Sequence, residues 1–328
     1  MAGDLERARD GDEHAFGELV QPHRNELRAH CYRMSGSADD AEDLLQESLV
    51  RAWRGLAGFK GRASVRTWLF RVATNTCLDA LRSRARRGLP TSLGPPSSPE
   101  QITAPRLEPI WLQPCPNAWL GAAPTPESLF DAREGVALAF LAAIQNLPPR
   151  QRATLLLRDV VGFAASECAA LLETSPAAVN SALQRARETL ASLPHREPAP
   201  VDDEATRELL ARYVRAWEDT DVDALVALLR DDAVLAMPPL AQWLVGPQDI
   251  GQSIGHMVFH PGARGNIRMV PTHANGRPAI AMYDRSADGP FAARSLHIPY
   301  LDGDRVSQIV AFMDPTVFGP LGLPATVE

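Results

Sequence analysis

Apolar residues recur at helical spacing near the start of the chain. Leu44, Leu45, Leu49, Ala52 and Trp53 share one helix face. Ser37-Ala-Asp-Asp precedes them and reads as a helix start, with a hydroxyl to cap and acids in the first turn. A second helical stretch, Ser64 to Arg84, buries Trp68, Leu69, Val72, Leu78 and Leu81. The pattern then breaks: residues 88–126 hold ten prolines, a density that no helix or central strand survives. This segment reads as an extended linker. It still carries Trp111, Leu112 and Trp119, so part of it is expected to dock on a surface. Helical periodicity returns over 127–193, where Leu138, Leu141 and Ile144 lead to Leu147-Pro-Pro and a forced stop, and Leu155 to Leu157 opens the next helix. Beyond residue 203 the character changes. Two amphipathic helices, 206–218 and 222–229, precede β-rich runs at 233–237, 267–273, 279–283, 292–300 and 306–313. Helices followed by strands, with turns such as Asp302-Gly303, imply an α+β fold with a curved antiparallel sheet. The pattern therefore predicts a multidomain chain: two all-α modules (4–87 and 127–193), a linker (88–126) and an α+β domain (203–320).

Composition narrows the classes. The chain has 328 residues, enough for two or three cores, with 45% hydrophobic and 22% charged residues, as in ordinary globular proteins. No apolar run approaches the ~18 residues that span a bilayer, and Met1 to Asp10 shows no signal-peptide pattern, so a cytoplasmic protein without a membrane partner is expected. The four cysteines (Cys31, Cys77, Cys115, Cys168) form no C-x-x-C pair; reduced, mostly buried thiols are expected, with no metal or cofactor. Net charge is −7, and all of it resides in residues 201–328, where 10 arginines face 17 acids. In the balanced first 200 residues the signs separate. Asp39, Asp40, Glu42, Asp43 and Glu47 are followed by Arg51, Arg54, Lys60, Arg62, Arg66, Arg71, Arg82, Arg84, Arg86 and Arg87, with Asp79 the one acid between. Two faces of opposite sign imply two different partners.

Residues 163–190 read as a helix-turn-helix. Ala164 to Leu172 forms a short helix, with small Ala169 where a second helix approaches, and Thr174-Ser175 makes the turn. Ser175 suits the N-cap and Pro176 the first helical position. The second helix buries Val179, Leu183, Ala186 and Leu190, leaving Ala177, Asn180, Ser181, Gln184 and Arg185 on an outer face fit for a major groove. A plain helical hairpin fits the same spacing. From Phe59 to Arg87, basic residues interleave with Phe59, Trp68 and Phe70. Arginines offset phosphate charge and exposed aromatics stack on unpaired bases; alternatively the aromatics are core and the arginines a solvated face. Asn75 on this stretch either bridges helices or reads an extruded base.

Together these residues resemble the extracytoplasmic-function (ECF) group of sigma-70 family factors, over residues 4–193. Asp39-Asp-Ala-Glu-Asp-Leu-Leu-Gln-Glu-Ser with Arg51-Ala-Trp resembles region 2.1–2.2. The resemblance implies that Asp39, Asp40, Glu42, Asp43, Leu44, Gln46 and Glu47 dock on the β′ clamp helices of core RNA polymerase, with the β flap as a further contact. Phe59-Lys-Gly-Arg and the run from Ser64 to Arg82 resemble regions 2.3–2.4, implying that Lys60, Arg62, Arg66, Trp68, Arg71, Asn75 and Arg82 hold the melted −10 element of promoter DNA. Leu147-Pro-Pro-Arg-Gln-Arg and the helix-turn-helix resemble region 4, implying −35 readout by Arg150, Ala177, Asn180, Ser181, Gln184 and Arg185. The family often has a basic residue where Asn180 stands and a glycine where Glu173 stands. That shifts the expected readout toward Ser181, Gln184 and Arg185. The linker, with Trp111-Leu-Gln-Pro-Cys-Pro, resembles that of the subset carrying a C-terminal SnoaL/NTF2-like cone, and is expected to thread along the polymerase.

The resemblance implies that the cone regulates in cis through intramolecular contact with the sigma modules, without requiring a separate anti-sigma factor. Two other readings of the cone stay open, a ligand sensor and an enzyme using Tyr213, Asp232, His256, His260 or His273. Asp231-Asp232 reads equally well as a turn between helix and strand. The reading carried forward is a sigma factor that performs no chemistry itself. Its rival is a stand-alone helix-turn-helix regulator, which would footprint a promoter without polymerase.

Overall fold

Side-chain caps set the helix starts in the first half of the chain. Asp12, Ser37 and Ser64 each accept a hydrogen bond from the backbone N–H three residues on, at 3.0, 3.1 and 3.0 Å. Each cap satisfies a donor that the helix itself leaves unpaired. In the computed structural model, which describes residues 2–61, 63–82, 86–101, 104–106, 110–120, 138–192, 204–285 and 289–328, the first helices are α1 (Ala2–Arg9), α2 (Glu13–Val20), α3 (Arg24–Ser35), α4 (Ala38–Gly55) and α5 (Val65–Ala80). Gly36, at φ 75°, ends α3 in the left-handed conformation that favours glycine. Helices α3, α4 and α5 bury Leu27, Cys31, Met34, Leu45, Leu69, Phe70 and Cys77. A smaller cluster built on Ala8, Leu19, Leu56 and Phe59 seats α1 and α2, with Trp53 and Trp68 at its edge.

The second helical set is α6 (Leu138–Gln145), α7 (Pro149–Leu155), α8 (Ala165–Leu171) and α9 (Pro176–Ala191). It belongs to the same compact unit as α1–α5, spanning residues 1–87 and 117–195. Phe163 packs edge-on against Phe70 at 5.4 Å, and Trp119 against Tyr32 at 5.9 Å.

The second unit comprises residues 88–116 and 196–328. Helices α10 (Glu204–Glu218), α11 (Val222–Ala227) and α12 (Pro247–Met257) accompany strands β1 (Leu229–Ala236), β2 (Trp243–Val245), β3 (Ile267–Ala274), β4 (Arg277–Asp284), β5 (Phe291–Asp302), β6 (Arg305–Phe312) and β7 (Thr326–Val327). The sheet runs β2-β1-β6-β5-β4-β3, with β7 on β5. The β1–β6 pairing is parallel and the others antiparallel. Leu209, Trp217, Ile250 and Ile254 from the helices meet Leu235, Met269, Met282 and Ile309 from the strands in one core. Asp231-Asp232 is not a turn: both residues lie within β1, whose register against β6 shifts between Leu229 and Val234.

Residues 88–116 of the proline-rich segment belong to this second unit, and 117–120 to the first. Gly88 and Leu112 are tied by a short parallel bridge around Trp111, and the Trp111 indole donates to the Arg106 carbonyl at 2.7 Å. The Trp243 indole donates to the Gly94 carbonyl at 3.0 Å, and the Arg106 N–H to the Pro239 carbonyl at 2.9 Å. At its end, the Cys115 N–H donates to Asn275 Oδ1 at 3.1 Å and the Asn275 N–H donates back to the Cys115 carbonyl at 3.0 Å. Asn275 and Gly276 form the β3–β4 hairpin tip, both at positive φ (53° and 72°), as a two-residue primed turn requires. All four cysteines are buried. No helix among the described residues is long and apolar enough to cross a membrane.

Candidate nucleic-acid interface

The turn between α8 and α9 determines what α9 presents. Ser175 accepts from the Ala178 N–H at 3.2 Å and Pro176 occupies the first position. Val179, Leu183 and Ala186 are buried against the neighbouring helices, while Leu190 is only half-buried. Ala177, Asn180, Ser181, Gln184 and Arg185 are all exposed, on the N-terminal two-thirds of the helix. Gln184 donates to Glu188 at 2.9 Å, and Arg187 binds Asp159 with two nitrogens at 2.8 and 3.0 Å, bracing the helix. Arg150 is exposed on the first turn of α7. Glu173 in the turn sits at φ +52°, a conformation costly for any residue with a Cβ.

The basic stretch divides. Phe70 is core. Trp68 is half-buried and lies 4.9 Å from the ring of Phe59, and together they floor a groove of about 350 Å³ bordered by Lys60, Thr67 and Arg71. Lys60, Arg71 and Arg82 are exposed and Asn75 is half-buried; Arg62 lies outside the described residues. Arg66 is engaged: it pairs with Glu26 at 2.8 Å and stacks over Phe70 and Phe163 at 5.2 and 5.0 Å. Arg71 pairs with Glu173 at 2.6 Å. Two basic residues of α5 are thus held by the helix-turn-helix.

The acidic face of α4 divides as well. Asp39, Asp43, Gln46 and Glu47 are exposed. Asp40 pairs with Arg87 at 2.7 Å, and Glu42 with Arg28 at 2.8 Å. Leu44 is 5% exposed and packs inward, so its side chain seats the helix rather than meeting a partner.

Sequence pattern did not single out Arg152. Its side chain is buried on α7 and donates to the carbonyls of Ile144 (3.0 Å), Gln145 (3.0 Å), Leu147 (3.3 Å) and Met34. These are carbonyls at the ends of α6 and α3, which lack helical partners and attract a cation. Burial pulls its pKa down to about 10, so it stays charged at neutral pH. Gln145 adds a bond to the Arg33 carbonyl at 3.2 Å. One guanidinium therefore rivets α7 to α3.

In the second unit, Tyr213 is buried, while Asp232 is tied to Arg230 at 2.9 Å and exposed, as are His256, His260 and His273. They do not converge. The buried histidine is His297 on β5, 2.9 Å from the Tyr213 hydroxyl at Nδ1 and 2.9 Å from the Ser295 hydroxyl at Nε2.

Comparison with known proteins settles the family. Residues 19–87 match the model for Sigma-70 region 2, residues 137–190 that for Sigma-70, region 4, and residues 210–311 the SnoaL-like domain. The ECF RNA polymerase sigma factor SigG of Mycobacterium tuberculosis is 48% identical over 316 residues, covering 94% of this chain and 84% of that protein. The chain belongs to the ECF sigma factors. The ECF RNA polymerase sigma-E factor of Escherichia coli is 31% identical over 187 residues, covering 57% of this chain and 90% of that protein. The crystal structure of Mycobacterium tuberculosis SigJ, an extracytoplasmic function sigma factor, shares the fold at a TM-score of 0.61 and 22% identity, covering 93% of this chain and 98% of that one. This ECF factor is thus two helical sigma regions followed by an α+β SnoaL-like domain. It binds core RNA polymerase and promoter DNA in transcription initiation.

Proposed function

We propose that the outward row of α4 (Asp39, Asp43, Gln46, Glu47) docks on the β′ clamp helices, with the α7–α9 set on the β flap. Lys60, Arg66, Arg71, Asn75 and Arg82, with Trp68 and its groove, hold the separated −10 strand, and α9 with Arg150 reads the −35 duplex. The observation that carries the reading is the capped helix α9, whose apolar stripe is buried while five small or polar residues face outward. Such a helix fits a major groove, where its side chains can read base edges.

This reading requires the helical unit to open. The −10 and −35 elements lie about 25 base pairs apart, on the order of 80 Å at 3.4 Å per step, whereas Arg71 and Glu173 are 2.6 Å apart. That exposed pair is worth only about 0–1 kcal/mol, but opening also breaks the buried bonds of Arg152 and Gln145 to α3 and the Phe70–Phe163 contact, so polymerase and DNA contacts have to replace these too. The closed unit keeps Arg66 and Arg71 off stray DNA until polymerase is engaged. Cis regulation by the SnoaL-like domain is supported by the strap: residues 88–116, which join the two sigma regions, pack with that domain rather than with either region. The domain therefore governs the reach between the regions inside the cytoplasm, with no separate anti-sigma protein required.

The test is co-purification with core RNA polymerase and run-off transcription. Wild-type chain binds core and selects a start site, and binds promoter DNA weakly alone. Charge reversal at Asp43 and Glu47 (Asp43→Lys with Glu47→Lys) abolishes core binding while the fold is kept. Undiminished co-purification of that double variant removes the assignment of α4, and strong footprinting without polymerase removes the mode of action.

A further inference from the structure

The second unit encloses a cavity of about 200 Å³ between α10, α12 and the sheet. Its walls are apolar: Leu235, Met237, Ile254, Met257, Met313 and the ring of Trp217. Methionine side chains adapt to the shape of an occupant. Asp284, the only carboxylate among the described lining residues, is held at the rim by Arg294 at 3.5 Å. Arg285, also at the rim, is bonded to Asn266 at 3.1 Å and stacked 4.4 Å over Phe291. No ionised group is therefore poised over the floor.

The floor carries two neutral polar side chains, His297 and Ser295, backed by Tyr213 outside the cavity. Tyr213, His297 and Ser295 form one chain, with 2.9 Å at each of its two steps. Burial pushes the His297 pKa down to about 3, so the ring is neutral and carries one N–H. The buried Trp217 indole N–H has no hydrogen-bond partner among the described residues. With the Ser295 O–H directed at the Met282 sulfur, 3.4 Å away, Nε2–H gives to Ser295 and the Tyr213 hydroxyl gives its proton to Nδ1. A thioether is a weak acceptor. The chain of donors ends, inside an apolar chamber, on a partner that any oxygen acceptor would better.

We propose that this chamber binds a small uncharged molecule, an apolar ring bearing one carbonyl or ether oxygen, and that Ser295 donates to that oxygen once Met282 swings aside. The size fits: the cavity lies below the ~300–1,000 Å³ of drug-sized sites, so it takes a single ring rather than a cofactor. The proposal concerns the second unit alone and does not depend on how the sigma regions meet DNA.

The probes are acetophenone, its oxygen-free counterpart ethylbenzene and its charged counterpart benzoate, titrated into the full chain by calorimetry. Acetophenone binds saturably at millimolar concentrations, at least fivefold more tightly than ethylbenzene, and benzoate does not bind. Ser295→Ala brings acetophenone to within twofold of ethylbenzene. Ala311→Leu, which fills the cavity from β6, removes both, with the circular dichroism spectrum unchanged. Absence of saturable acetophenone binding overturns the site. Equal affinity for acetophenone and ethylbenzene in wild type overturns the hydrogen bond, and benzoate binding as well as acetophenone overturns the uncharged class. These wild-type comparisons decide the matter even if a variant fails to fold.

Discussion

Two buried side chains illustrate what single residues contribute here. The guanidinium of Arg152 gathers carbonyls from two helix ends that lie over a hundred residues apart in sequence. Those acceptors are backbone atoms, which no residue pattern indexes, so Arg152 was legible only as part of a Leu-Pro-Pro-Arg-Gln-Arg string. His297 was likewise hidden, because Leu296 and Ile298 take the apolar phase of β5 and leave it on the other face, yet residues 295–299 are buried on both faces. The histidines that drew attention in the sequence, His256, His260 and His273, are exposed. Buried histidines carry a pH signature. His30 and His297 both have pKa values depressed to about 3, by burial foremost. A base whose folded pKa lies below its unfolded value leaves the unfolded chain holding more protons at acid pH. Stability is then full above pH about 6.5 and is lost as pH falls toward 3, by about 1.4 kcal/mol per unit per group at most. Urea midpoints measured between pH 8 and 4 should be level above 6.5 and fall steeply below it. His297→Gln should flatten the fall in the SnoaL-like unit. A midpoint at pH 4.5 equal to that at pH 7 would rule out the neutral, buried state of these rings.

At the scale of elements, the helices of the sigma regions and most strands were readable because they obey simple periods. Ser37, Ser64 and Ser175 cap where a hydroxyl precedes an apolar repeat. Helix α12 was missed. Gly251 and Gly255 interrupt its pattern, yet Gly251 is there for packing: a Cβ at that position would meet Val226 at 2.6 Å, where α12 crosses α11. The Gly246-Pro247 start was the signal available. The Asn275-Gly276 hairpin was likewise in plain view and explains why β3 and β4 pair in full register. For α9, each base-reading contact is worth about 1–3 kcal/mol. Gln184→Ala and Arg185→Ala should therefore each weaken holoenzyme binding by that amount on the cognate promoter and have little effect on an unrelated duplex, in mobility-shift titrations. Equal losses on both would mean that these side chains touch only phosphate.

At the scale of the whole molecule, order along the chain misleads. Residues 88–116 come between the two sigma regions in sequence but fold with the last third of the protein, and proline density, which excludes helix and central strand, says nothing about which unit an extended segment joins. What fastens the segment is a set of backbone and amide bonds, chiefly the reciprocal pair of Cys115 and Asn275. Asn275→Gly keeps the positive φ of the turn and deletes the amide. It should speed tryptic cleavage after Arg106 severalfold and shift promoter-specific transcription in the same direction as truncation after residue 200. Unaltered cleavage would mean that the strap is held elsewhere, and unaltered transcription by both proteins would remove the proposed cis control.

The reciprocal pair joins residues 160 positions apart. A ribosome adding about 5–20 residues per second delivers the second partner roughly ten to thirty seconds after the first. Over the later half of that interval, once residue 190 has been added, every nascent copy carries both sigma regions and an undocked strap. Newborn and finished copies therefore differ in how freely the two regions move apart, and the youngest copies are the least restrained.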